Sequence, residues 1–263
     1  MSQAISGSLA LSNAALVLGL MSVLWGVSVR LRDASIVDPW WSIAFLIVTV
    51  NTAAHTGMTP GKTVFLAIVT IWAVRLWLHL LVRSRGKPED PRYASFRQRY
   101  GAHRYWWVSF FQVFLLQGSL ALVISSPLAL AAAAPLPDPI TTTDGLGLAL
   151  FTLGFVFEAV ADWQLEAFRR DVSRRGTVLD TGLWRWSRHP NYFGETMLWW
   201  GFWLWAIDQP HGWVTIFAPL LMTFLLLRVS GVTMLDAHLR ETKPAYADYI
   251  RRTSAFLPRP PRR

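Results

Sequence analysis

The chain contains no cysteine, which excludes disulfides and thiolate metal sites. No Lys or Arg precedes Arg30, so the first apolar stretch lacks the basic n-region of a cleaved signal peptide and reads as a retained span. The apolar runs lack the period-two alternation of a transmembrane barrel, which argues against strands. Charge scarcely interrupts them, which argues against a soluble domain. No internal repeat or low-complexity tract is present. A G-x-G-x-x-G turn, a Walker loop and His/Glu metal spacing are all missing as well, so the sequence offers no metal site, and any dinucleotide is held without a Rossmann fold.

What is present is apolar length. Of 263 residues 53% are hydrophobic, and 15 are Trp. Crossing a hydrocarbon core of about 30 Å takes roughly 20 helical residues. Seven stretches meet or approach that length, at 8–29, 36–56, 63–82, 106–133, 145–165, 193–208 and 212–232. The fourth is long enough to require tilt or a break near Pro127. The expected fold is an all-α integral membrane bundle of about seven transmembrane helices. It forms a single membrane domain over 1–263 that ends in a basic tail at 259–263.

The net charge of +9 would suit nucleic acid, but its distribution points to a bilayer partner instead. Arg30 and Arg32, the run from Arg83 to Arg104, the run from Arg169 to Arg188 and the tail after Asp236 fall in one set of loops. Only Lys62 falls in the other set, and Arg75 and Arg228 lie inside helices. The excess of basic residues marks the cytoplasmic side. The N-terminus is therefore expected outside and the C-terminus inside, in a multi-pass protein of the cell inner membrane with its polar site on the cytoplasmic face.

Ionisable groups within spans are functional-site hypotheses by default. Asp38 opens the second stretch in Asp38-Pro39-Trp40-Trp41, where it serves either as a helix N-cap or as part of a site. Arg75 and His79 are four apart on one helix face, as are Glu158 and Asp162, a face that Glu166 and Arg169 extend. Arg169, Arg170, Arg174 and Arg175 precede Trp184, Arg188, His189, Pro190, Asn191, Tyr192 and Glu195. Pro190 marks a helix start, where backbone N–H groups favour anions. Guanidinium forks are the usual partners of phosphate. Asp236, Arg240 and Tyr249 add polar groups from the tail.

The run GLWRWSRHPNYFGE (182–195) resembles the signature of the membrane steroid 5α-reductase-like family, and in particular its bacterial DUF1295 branch. DPWW (38–41), WAVRLWLHLLVRSRGKPEDPRY (72–93), ADWQLEAFRRD (161–171) and YADYIRRTSAFLP (246–258) are similar to pieces of that branch in the same order. The resemblance implies an NADPH-dependent reductase of a carbon–carbon double bond conjugated to a ketone, as in a 3-oxo-Δ4 steroid or a related lipid enone. Its cofactor-binding part would occupy 145–258. Carried over, Arg169, Arg170, Trp184, Arg188, His189, Asn191 and Tyr192 would hold the nucleotide. Asp162 and Glu195 would face the ribose or the carboxamide, and Asp236, Arg240 and Tyr249 would close over the cofactor. The family's ketone-polarising Glu falls near Asp38, and its Tyr falls near Trp72, which cannot protonate a ketone. Asp38 is thus the expected acid, with His79 or a water in place of the Tyr.

Two other readings use the same residues. A membrane methyltransferase would bind S-adenosylmethionine, whose sulfonium calls for carboxylates and aromatics more than for Arg. The pyrophosphate and 2′-phosphate of NADPH suit the Arg-rich segment better. A non-catalytic lipid-binding protein would explain the spans but leave Glu158, Asp162 and Glu195 without a task.

Overall fold

The structure, a computed structural model, describes residues 7–133, 141–229 and 246–262, and every element among them is helical. Six helical segments are long and apolar enough to cross a membrane: Gly7–Leu31, Ala34–Thr56, Pro60–Ser84, His103–Ile124, Thr142–Arg170 and Gly212–Val229. The protein is a multi-pass helical membrane protein. The sixth expected stretch forms a helix at Pro190–Ala206 whose 17 residues reach only about 25 Å.

The chain divides into two compact units, residues 1–141 with 208–215 and residues 142–207 with 216–263. In the first, α1 (Gly7–Leu31) is followed by a 3-10 turn at Ala34–Ile36 and by α2 (Val37–Thr56). Helix α3 (Pro60–Ser84) starts where Thr59 caps the N–H of Lys62 and Pro60 takes the first turn, where its missing N–H costs nothing. Helix α4 (Pro91–Tyr100) repeats the device with Asp90 and Pro91. Gly101, at φ 74°, breaks it from α5 (Ala102–Ser109), a conformation that L side chains rarely adopt. The fourth span then runs through a π-helical segment, Phe110–Leu115, into α6 (Leu116–Ile124). It breaks at Ser125, beside the expected Pro127, before α7 (Ser126–Ala133). Helix α2 packs against α1, α3, α6 and α7.

Polar groups tie these helices where the apolar effect cannot, since lipid is as apolar as Leu. Asn13 Nδ2 donates to Thr52 Oγ1 at 3.1 Å, and Asn51 Nδ2 donates to Asn13 Oδ1 at 2.8 Å. Lys62, buried at the head of α3, donates to Thr56 Oγ1 (2.9 Å) and Gly57 O (3.0 Å). It thereby caps the carbonyl end of α2, where a cation is favoured.

In the second unit α8 (Thr142–Arg170) lies along α9 (Pro190–Ala206), and α10 (Phe217–Phe224) packs on α9 before a second π segment at Leu225–Val229. Helix α11 (Tyr246–Arg252) follows. The contact between α8 and α9 is backbone against backbone. A Cβ on Gly154 would lie 2.5 Å from Gly194 O, and one on Gly201 would lie 2.7 Å from Gly147 O. The two glycines of each helix are seven residues apart, two turns on one face. Gly194→Ala would drive its Cβ to 2.5 Å from both Glu158 N and Gly154 O, backbone atoms that have no rotamer to yield. Gly19→Ala on α1 meets nothing within 4 Å. Gly194→Ala is therefore expected to lower the detergent-phase melting temperature by the equivalent of about 1–3 kcal/mol. Gly19→Ala should leave it unchanged or raise it. Equal melting of the two variants would remove the close contact from the account.

Candidate functional site

Asp38 stands in the first turn of α2, followed by Pro39, and is bound by two residues of α4. Arg92 Nη2 donates to its Oδ2 at 2.8 Å, and Tyr93 Oη donates to its Oδ1 at 2.5 Å. Tyr93 Oη in turn accepts from Gln117 Nε2 of α6 at 3.0 Å. Arg92 also grips Asp90, the cap of its own helix, through Nε at 2.9 Å. Asp38 is not the cap of α2: Ile36 holds the N-cap position, and no side chain caps the helix there. Asp38 is an ion-paired carboxylate on a phenol, and its side chain keeps 29% of its exposure.

Burial first, and then the neighbouring charge of Asp38, push the Tyr93 hydroxyl above its ordinary pKa, so it stays protonated well past neutrality. Burial works against the charge of Arg92, but Asp90 and Asp38 outweigh it and hold the guanidinium firmly protonated. The turn that delivers α4 is fixed by Glu89. It accepts from Arg97 Nε (2.9 Å) and Nη2 (2.8 Å), and from the backbone N–H of Ala34 at 2.8 Å.

The phenol that meets Asp38 is that of Tyr93, 55 residues away, and among the described residues none near Trp72 is bonded to Asp38. Trp72 is fully buried against Phe45, with ring centroids 5.9 Å apart. His79 lies on α3, half-buried, one turn beyond Arg75. Sequence reasoning missed Tyr93 and Gln117. The signal for Tyr93 was its place at the end of the quoted run at 72–93, within Asp90-Pro91-Arg92-Tyr93.

In the second unit the glycine contact sets the acidic face of α8 against the start of α9. Asn191 Nδ2 donates to Asp162 Oδ1 at 3.1 Å. Glu195 Oε1 accepts from Trp199 Nε1 at 2.9 Å. Glu158, Asp162 and Glu195 are all buried. His189 precedes Pro190 as the helix cap and stacks flat on Tyr192, with centroids 5.4 Å apart and planes at 2°.

The 182–189 loop is held from inside. Trp184 Nε1 donates to Ala161 O (3.0 Å), Tyr249 Oη donates to Trp184 O (2.5 Å), and Arg188 Nη1 donates to Thr253 O (2.7 Å). Arg188 is buried at the carbonyl end of α11, and its cation favours that end of the helix. Trp184, Arg188 and Tyr249 therefore build the wall of this region. Arg169 and Arg170 are exposed, Arg170 beside Glu166 at 3.1 Å. Asp236 and Arg240 lie outside the described residues.

This donor set fits a phosphorylated nucleoside. Exposed guanidinium groups on Arg169 and Arg170 suit phosphates. The Asp162–Asn191 pair, Glu195 and the Tyr192 hydroxyl offer acceptors and donors of the kind a ribose or a carboxamide requires.

Comparison with known proteins places these residues within one family. Residues 24–253 match a family model described as "Protein of unknown function (DUF1295)". An uncharacterized protein of Schizosaccharomyces pombe is 30% identical over an alignment of 274 positions, which covers 91% of this chain and 77% of that protein. No solved structure matches.

The Glu89 clasp yields a pH dependence. Burial alone would raise its pKa, but the bonds from Arg97 and the Ala34 N–H outweigh burial and hold it below its ordinary value of 4.5. A depressed carboxylate contributes stability that is fully present above that ordinary value and is lost as pH falls through the folded pKa. Glu89→Gln is expected to melt below wild type at pH 7, with the gap closing below about pH 4. Melting curves of both proteins across that range check it, and a gap independent of pH would mean that the charge of Glu89 is not what matters.

Proposed function

The chain belongs to the DUF1295 family, and from that membership and the Asp38–Tyr93 pair we propose that it is an NADPH-dependent membrane reductase of a carbon–carbon double bond conjugated to a ketone. The resemblance of its 182–195 run to the steroid 5α-reductase-like family supports this reading. So does a phenol fixed on a carboxylate at the end of an apolar span, the single observation that carries it. The topology that goes with it has seven spans, Pro190–Ala206 being the short one. Its basic loops lie on the cytoplasmic side of the inner membrane, where cytosolic NADPH is at hand.

Arg169 and Arg170 would bind the phosphates of the nucleotide, and Asp162, Asn191, Tyr192 and Glu195 its ribose and carboxamide. When bound, NADPH supplies the hydride that the β-carbon of the enone takes up. The chain's own task is the ketone oxygen, on which negative charge develops.

Tyr93 has one hydroxyl proton and two claimants for it, Asp38 Oδ1 and the ketone. Both are served only when Asp38 itself carries a proton, so that Asp38 donates to Tyr93 and Tyr93 donates to the ketone. As the enolate forms, the phenolic proton passes to its oxygen, and the proton of Asp38 replaces it on Tyr93. Solvent then restores Asp38 through its exposed edge, and the enol becomes the ketone as the α-carbon takes a proton from water and the enol oxygen gives its own proton back to water. Arg92 meanwhile holds the other carboxylate oxygen, Oδ2. Turnover should fall as pH rises through the titration of the pair.

Two measurements test this. Calorimetric titration of the purified protein should show NADPH binding well ahead of NADH and S-adenosylmethionine, and Asn191→Ala should weaken NADPH binding by the equivalent of about 1.5–3 kcal/mol. Preference for S-adenosylmethionine would establish the methyltransferase reading instead. In single-turnover oxidation of bound NADPH by a 4-en-3-one steroid, Tyr93→Phe and Asp38→Asn should each lose about 10²–10⁴ in rate while NADPH binding survives. Wild-type rates in both variants would remove the pair from the chemistry.

A further inference from the structure

The π-helical segment in the fourth span reorganises the face that meets Tyr93. The N–H of Leu116 bonds to the carbonyl of Phe111, five residues back. Exposure then repeats every five residues: Phe111 and Leu116 are exposed, Gln112 and Gln117 are half-buried, and Val113 and Gly118 are buried. In an uninterrupted α-helix five residues turn through about 140°, which would put Gln112 and Gln117 on different faces. The i→i+5 turn absorbs the extra residue and stacks the two amides, and π-bulges of this kind occur at functional sites.

The hydrogen-bond direction around Tyr93 fixes which end of the Gln117 amide faces it. The single proton of Tyr93 goes to Asp38 in this arrangement, and to the ketone when Asp38 is protonated for turnover, so towards Gln117 Tyr93 can only accept. The NH₂ end of Gln117 therefore points at the phenol and its Oε1 points away. That Oε1 is fully buried and meets no donor among the described residues, and the same is true of Gln112 Oε1. Two buried amide oxygens on one helix face, one of them on the residue that fixes the phenol, are acceptors that no donor among the described residues meets.

We propose that Gln112 and Gln117 select the substrate by accepting hydrogen bonds from a hydroxyl group close to its ketone. The inference rests on the reductase reading and narrows it. The substrate class is a hydroxylated enone, with the hydroxyl one or two carbons from the carbonyl, in preference to a ketone whose surroundings are purely hydrocarbon. A site built to accept from a hydroxyl discriminates against the analogue that lacks it, because the acceptor is then left buried and unpaired.

The test uses the full-length protein in detergent with NADPH, a 4-en-3-one steroid, and both epimers of its 2-hydroxy derivative. Equilibrium binding is measured by calorimetry, and NADPH oxidation is followed in parallel. The expected result is that one 2-hydroxy epimer binds roughly ten- to a hundredfold more tightly than the parent. Gln112→Met, which keeps the volume without the amide oxygen, should bring that ratio close to one. Gln112→Glu, which keeps an acceptor, should retain it. A wild-type ratio near one for both epimers overturns the proposal whatever the variants do. A ratio unchanged in Gln112→Met and in Gln117→Met overturns it as well. Absence of NADPH oxidation with all three steroids, alongside a ratio that Gln112→Met abolishes, would sink the reductase reading and leave the hydroxyl selection standing.

Discussion

A carboxylate in the first turn of an apolar span is the constraint around which the first unit is arranged. Asp38 without a partner would cost several kcal/mol at the edge of the hydrocarbon. Arg92 and Tyr93 meet it from 54 and 55 residues away, which demands a tight return after α3. Glu89 supplies that return by clasping Arg97 and the Ala34 N–H, and Asp90 starts the helix that carries the two partners. The π segment then turns Gln117 onto the phenol. Each feature is a local rule obeyed, a cap or a paired charge, and their common outcome is one fixed hydroxyl.

The second unit rests on a different economy. Helices in lipid gain little from apolar contact with one another, so close packing must come from shape. Gly147 and Gly154 on α8 meet Gly194 and Gly201 on α9 with nothing between the backbones. That approach carries Glu158 and Asp162 alongside Asn191 and Glu195, a density of polar groups that bulkier residues at the contact would hold apart. The loop before α9 is held by its own backbone bonds, with Arg188 on the carbonyls that end α11 and Tyr249 on Trp184 O. The polar face at 162–195 is thus braced from both sides.

Much of this was legible beforehand, because hydrocarbon thickness writes a local signal. The spans expected at 8–29, 36–56 and 63–82 are helices Gly7–Leu31, Val37–Thr56 and Pro60–Ser84, and the break expected near Pro127 falls at Ser125. The π segment was not legible, since a run such as Phe110–Leu116 is apolar on nearly every side and carries no register. Tyr93 was hidden for the opposite reason. It sits on a short polar helix that span-finding passes over, and its contact with Asp38 bridges 55 residues. The glycine contact had a readable trace, two pairs each seven apart. The role of Arg188 had none: its residue type suits phosphate, but nothing local shows that backbone carbonyls reach it first.

On the reductase reading proposed for this chain, the placement of Tyr93 meets what an acid must do on every turnover. A group that delivers a proton has to recover it from water, and the interior of an apolar span has no water to offer. Trp72, in the span where the family resemblance set the phenol, is sealed in an aromatic stack. Helix α4 instead lies between two spans and is polar enough to stay at the boundary. There Tyr93 is buried at its ring while Asp38, behind it, keeps an exposed edge. On that reading, the burial that holds the phenol protonated and the exposure that would refill it belong to different residues, joined by the 2.5 Å hydrogen bond between them.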